Sequence, residues 1–215
     1  MPELTKEWRD KLVKEIRRKA IHLSGLSVPL GILFLGRSIT AGAIALVLAL
    51  SLFLEAERLK GKIRLPEVRD HEKTKVAGYI YYMAGCLLAV LLYPPMIAVT
   101  SVLYLCLGDT VSGLAGSILK NCDVRSKPAP AARWRIKPLP VVAAMFFACL
   151  FIGYLASGLT GLSFAVYLAG ALAATFADGV AIIVRDKSLD DNFTIPVLSG
   201  ALMSAAALIL NSSPL

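Results

Sequence analysis

The stretch "PMIAVTSVLYLCLGDTVSGLAGSI", Pro95 to Ile118, is apolar enough and long enough to cross a bilayer, and it carries one aspartate. A bilayer crossing takes ~20 mostly apolar residues in a helix. The segment therefore predicts a transmembrane helix, and Asp109 within it needs a reason. Windows of the same kind recur along the chain. Seven spans are expected, at roughly 21–36, 39–54, 76–93, 95–118, 138–157, 161–184 and 194–212. With 57% hydrophobic residues among 215, the expectation is an all-α, polytopic integral membrane protein. It forms one membrane domain over 1–215, with a bundle over 21–212.

The N-terminus, "MPELTKEWRDKLVKEIRRKA" (residues 1–20), is charged, and Leu4, Trp8, Leu12, Val13 and Ile16 recur at helical spacing. It predicts a basic amphipathic helix that either lies on the membrane surface or extends the first span. Cys86, Cys106, Cys122 and Cys149 are scattered and read as small apolar fillers. The net charge of +8 could suggest nucleic acid, but its distribution points to a membrane. Residues 1–20 hold seven Lys/Arg, 55–75 seven, 119–137 six and 185–193 two, against Arg37 alone on the other side. Basic loops stay cytoplasmic, so the expected N-terminus is inside and the C-terminus outside.

Four segments carry polar groups beyond loop solvation. In "RRKAIHLSG", His22 opens the first span one turn after Arg18, which reads as an interfacial or a functional histidine. In "RDHEKTKVAGYIYYMAG", Glu72, Lys73 and Lys75 precede the third span, as a charged helix start or a phosphate-holding cluster. In the central span, Asp109, Ser112, Gly113 and Gly116 share a face. Small residues admit a neighbouring backbone, but an aspartate in a membrane costs ~2.5–3.5 kcal/mol on insertion scales and marks function. Counting back from Lys120 at ~1.5 Å per residue puts Asp109 ~15 Å deep, so a water-filled cleft is expected there.

The fourth segment, "FADGVAIIVRDKSLDDNFTIPVLSG", repeats the pattern with Asp178, then Asp190, Asp191 and Asn192. Asn192 or Thr194 is expected to cap the last helix, with Pro196 in its first turn. Capping covers one polar residue, not three. Clustered oxygen ligands suit Mg²⁺, and helix N-termini suit phosphate. No P-loop, HExxH or GxSxG motif occurs. Carboxylates and an amide beside lysines and arginines at one membrane face suit phosphoryl transfer, which needs positioning and charge neutralisation.

Four pieces together resemble the CTP-dependent polyprenol kinases, the family of dolichol kinase, phytol kinase and the CTP-using diacylglycerol kinase. They are "RKAIHLSG" (18–25), "EKTKVAGYIYYMAGCLLA" (72–89), "LGDTVSGLAGSIL" (107–119) and "DDNFTIPVLSG" (190–200). The resemblance implies transfer of phosphate from CTP to a lipid alcohol at the cytoplasmic face, with Mg²⁺ or Mn²⁺. Asp109, Asp191 and Asn192 would hold the metal. Asp178 would be a further ligand or the base that orients the hydroxyl, and His22 belongs with the catalytic candidates. Arg18, Lys19, Lys73, Lys75 and Lys137 would meet phosphate, with Glu72, Ser112, Gly113 and Thr194 around them.

One departure stands out. Where the family carries a Lys-Ser-x-Glu-Gly-Ser type segment, this chain reads "IKPLPVVAAMFF", and only Lys137 matches. Another basic loop then holds the nucleotide, or the substrates differ, or the activity is lost. A cytidylyltransferase acting on a lipid phosphate would use the same acids. A transporter with an intramembrane acid relay is the reading outside enzymes.

Overall fold

The computed structural model describes residues 6–63, 72, 74–119, 134–184 and 187–210. Helix α1 (Lys6–Leu23) passes through a 3-10 turn (Ser24–Leu26) into the short α2 (Ser27–Leu35). Gly36 then turns the chain at φ +84°, a conformation open to glycine. Helix α3 (Arg37–Leu59) runs back beside α2. At that turn the Arg37 guanidinium donates to the carbonyls of Val90, at 2.7 Å, and Leu91. These are carbonyls at the end of α4 (Gly78–Leu92), which have no helical donor of their own.

Pro95 opens α5 (Pro95–Leu103), which continues through a π-helical turn (Tyr104–Gly108) into α6 (Asp109–Ile118). After β1 (Trp134–Ile136) come α7 (Leu139–Thr160), α8 (Phe164–Gly179), β2 (Val180–Val184), β3 (Lys187–Ser188) and α9 (Asp191–Ile209). The core lies where α5, the π turn, α8 and α9 meet. Tyr104, Ile97, Val166, Ile195 and Met203 are fully buried there, and the Tyr104 hydroxyl donates to the Tyr167 carbonyl at 2.9 Å.

Two expectations need correction. Among the described residues four helical stretches, not seven, are long and apolar enough to cross a membrane: Arg37–Leu59, Pro95–Ile118, Leu139–Thr160 and Asp191–Ile209. The expected first span is broken at Ser24–Leu26, the third begins only at Gly78, and the sixth ends at Gly179. Hydropathy reports composition, and an apolar run does not disclose where a helix stops. The second correction is partial: the described residues are mostly helical, as expected, but the fold also carries a small sheet. Val180–Val184 is a β-branched run that pairs antiparallel with β1, Arg135 opposite Ala181, and with β3, Val184 opposite Lys187. This small sheet ties the segment before α7 to the segment after α8.

Candidate metal and phosphate site

Asp109 is the first residue after the π turn, a type of helix irregularity that occurs often at functional sites. It is 3% exposed, and its Oδ2 accepts from the Lys19 ammonium. His22 Nδ1 lies 3.2 Å from the same oxygen. That nitrogen is buried, with the Asp109 carboxylate as its close polar neighbour. Lys19 and His22 belong to the last turns of α1, which pack on α6. Gly113 makes that approach feasible. A Cβ there would press into the Lys19 stem and sit 2.7 Å from Glu15 Oε1.

Asp178, on the last turn of α8, is completely buried. Its Oδ1 accepts from Lys137 Nζ at 2.6 Å and its Oδ2 from the Ser112 hydroxyl at 2.5 Å. The sheet sets this pair, because the Lys137 amide also donates to the Gly179 carbonyl at 2.8 Å. Lys137 Nζ is 3.9 Å from Asp191 Oδ2 as well. One carboxylate oxygen from each of Asp109, Asp178 and Asp191 lies within 4.8 Å of the others. Three acids from three helices thus converge, as their separate placement in the sequence did not require.

The electrostatics are tight. Burial alone would lower the Lys137 pKa, but the charges of Asp178, Asp191 and Asp109 outweigh it and raise it above the ordinary lysine value. For Lys19 the balance goes the other way. Burial dominates and lowers its pKa, with Asp109 opposing. Three carboxylates face two lysines, which leaves one formal negative charge in a buried cluster, and such a charge is costly without a counter-ion. Arg18 is engaged by Glu15, through Nη2 at 2.5 Å and Nε at 3.2 Å.

Asn192 is 3% exposed, and its Oδ1 is buried with no hydrogen-bond partner among the described residues. It is not the cap of α9. Asp190 is, accepting from the Asn192 amide at 3.0 Å. Pro196 correspondingly lies inside the helix, beyond its first turn. Thr194 donates to the Asp190 carbonyl at 3.2 Å, a bond within its own helix end. Glu72 is buried and accepts from the Gly78 amide at 3.1 Å. A Cβ on Gly78 would sit 3.2 Å from both Glu72 Oε1 and Asn192 Nδ2, so these two side chains border the same spot. The Lys75 side chain is exposed. Lys73 lies outside the described residues.

No protein-family model, curated protein or solved structure matches this chain. The chemistry of the site therefore rests on its own geometry. An Mg²⁺ with ligands at ~2.1 Å can bridge oxygens at most ~4.2 Å apart. The three acids fit one or two direct ligands with a further contact through water, the usual habit of that ion. Asn192 offers an additional oxygen with unspent capacity. Sequence reasoning missed Glu15, although its i+3 and i+4 spacing to Arg18 and Lys19 was visible. It also missed a second buried network. Glu55 takes both Arg58 nitrogens at 2.7 Å, the Ala77 amide at 2.7 Å and the Tyr79 hydroxyl at 2.6 Å. Both residues belong to α3, which runs to Leu59 and not to residue 54.

Proposed function

We propose that this chain is a membrane-embedded kinase that transfers the terminal phosphate of CTP to a lipid alcohol at the cytoplasmic face. The observation that carries the reading is the convergence of Asp109, Asp178 and Asp191 with Lys19 and Lys137 inside apolar helices. Large apolar side chains such as Phe34, Leu139 and Ile209, each about 80% exposed, give the helix flanks a surface suited to lipid. The choice of CTP comes from the four-piece resemblance, and the cytoplasmic side from the Lys/Arg asymmetry.

Asp109, Asp191 and Asn192 would hold Mg²⁺ or Mn²⁺, with Asp178 beside them. Such an ion neutralises charge on a transferring phosphoryl group. Lys19 and Lys137 present ammonium groups to the triphosphate, and Arg18 adds a third positive charge at the rim. Ser112 fixes Asp178 in the orientation that faces Lys137. The buried setting of the acids strengthens each contact.

The test is direct. Purified protein in detergent is incubated with Mg²⁺, CTP or ATP labelled in the terminal phosphate, and a panel of polyprenols, phytol, geranylgeraniol and diacylglycerol. Labelled lipid phosphate with release of CDP is expected. Pyrophosphate release with lipid phosphates as acceptors would transfer the same site to cytidylyl chemistry. No transfer from either nucleotide under any metal defeats the reading.

A further inference from the structure

Beside the acid cluster, a cavity of about 540 Å³ runs between α2, α3 and α4. It spans His22 to Leu35 along one wall and Thr40 to Ser51 along another, or roughly 16–20 Å at helical rise. Most of its polar groups gather at one end. His22, Ser24, Ser51, Tyr79 and Tyr82 line that end, and beyond it the lining is mostly apolar, with Ser27 along one wall and Thr40, which donates to the Gly36 carbonyl, at the other end. At the far end Leu35 is 60% exposed, so the cavity opens where the flank of α2 meets lipid.

The polar end carries hydroxyl oxygens that donate elsewhere and can still accept. The Tyr79 hydroxyl donates to Glu55 at 2.6 Å, and the Tyr82 hydroxyl donates to the His22 carbonyl at 2.9 Å. The His22 ring is held edge-on by Tyr82 at a centroid distance of 4.8 Å, and the residue is only 9% exposed; its Nδ1 faces Asp109. That same nitrogen is 3.2 Å from Asp109. His22 is therefore the junction between an apolar tunnel and a charged site.

We infer that this cavity holds the tail of a single-chain lipid alcohol, with its hydroxyl at His22 facing the acid cluster. The inference rests on the kinase reading for the fate of the hydroxyl, but not for the binding itself. At the ~30 Å³ that a water-sized group takes in a liquid, the volume admits on the order of eighteen chain groups, so it takes most of one twenty-carbon tail, whose end reaches the open mouth. Two long acyl tails exceed it. A hydroxyl suits the polar end better than a carboxylate, which would meet the Asp109 charge beside the same ring.

The experiment needs no nucleotide. A twenty-carbon prenyl alcohol with a terminal diazirine is photolysed with the full chain in nanodiscs, and adducts are mapped by mass spectrometry. Adducts are expected on the α2 and α3 residues that line the cavity. Geranylgeraniol should displace the probe, and diacylglycerol and palmitate should not. Ala43→Phe, which fills the cavity from α3, should cut labelling roughly tenfold. Leu46→Phe, on the same helix but outside the lining, should leave it unchanged. Adducts spread over all exposed helix flanks, equal displacement by diacylglycerol, or labelling indifferent to Ala43→Phe would each overturn the inference. Specific labelling in a protein that phosphorylates nothing would uphold the lipid site and remove the kinase reading. Active kinase with labelling outside the cavity would do the reverse.

Discussion

Asp109 and Lys19 share a buried contact that neither can keep alone. Removing one partner of such a pair costs ~3–5 kcal/mol because the other charge is stranded. Asp109→Asn should therefore lower the thermal midpoint in detergent and abolish turnover, or raise the Mg²⁺ needed for it severalfold. Adding Lys19→Met should recover much of the stability and none of the activity. Recovered activity in the double variant would take both residues out of the site. Asn192 calls for a milder change. Asp190 caps α9, so Asn192→Ser should fold normally while turnover drops at least tenfold, ~1.4 kcal/mol of transition-state stabilisation. Wild-type rates would leave the unpartnered Oδ1 without a role. At this scale much was legible in the sequence. Asp109 and Asp178 announce themselves because a membrane penalises acids. Glu55 and Arg58 do not, since an acidic–basic pair at a helix end reads like any solvated helix terminus.

At the scale of elements, the position of α9 depends on a gap in α4. Pro196 has no N–H, so the Asn192 carbonyl loses its helical donor, and Gly85 comes in against that turn. A Cβ at residue 85 would stand 2.7 Å from the Asn192 carbonyl oxygen and 3.0 Å from Pro196 Cγ. Backbone cannot yield as a flexible side chain does, so Gly85→Ala should destabilise by ~1–3 kcal/mol. It should also weaken metal-dependent turnover by moving Asp191. Thermal unfolding and turnover measured on the same preparation check this, and a neutral result on both would show that α4 and α9 have slack. Neither the gap nor the sheet could be read beforehand. Period and composition locate apolar runs, whereas Val180–Val184 becomes a strand through pairing with a segment more than forty positions earlier.

For the molecule as a whole, charge distribution is a firmer basis for predicting orientation than a count of spans. Helix α3 is long and apolar enough to cross on its own length, with Ser38 and Lys60 exposed near its two ends. In a Cys122→Ser background, the cysteines at 86, 106 and 149 are buried. Lys60→Cys should then react with a membrane-impermeant maleimide only from the cytoplasmic side, and Ser38→Cys only from the outside. Equal labelling of both from one side would defeat the orientation and the crossing together. The long apolar helices were visible in the sequence, since they follow from composition. The interruptions were not, because they come from tertiary contacts that no window samples.

Lys19 and Lys137 already neutralise most of the cluster before anything binds. An arriving divalent cation would take over the carboxylates and release two ammonium groups, and a triphosphate is what such released groups attract. Metal and nucleotide would then bind with positive cooperativity. Thermodynamic linkage makes the coupling reciprocal: whatever factor the metal contributes to nucleotide affinity, the nucleotide returns to the metal. A site built this way discriminates against either ligand arriving alone, and commits only when the two are present together.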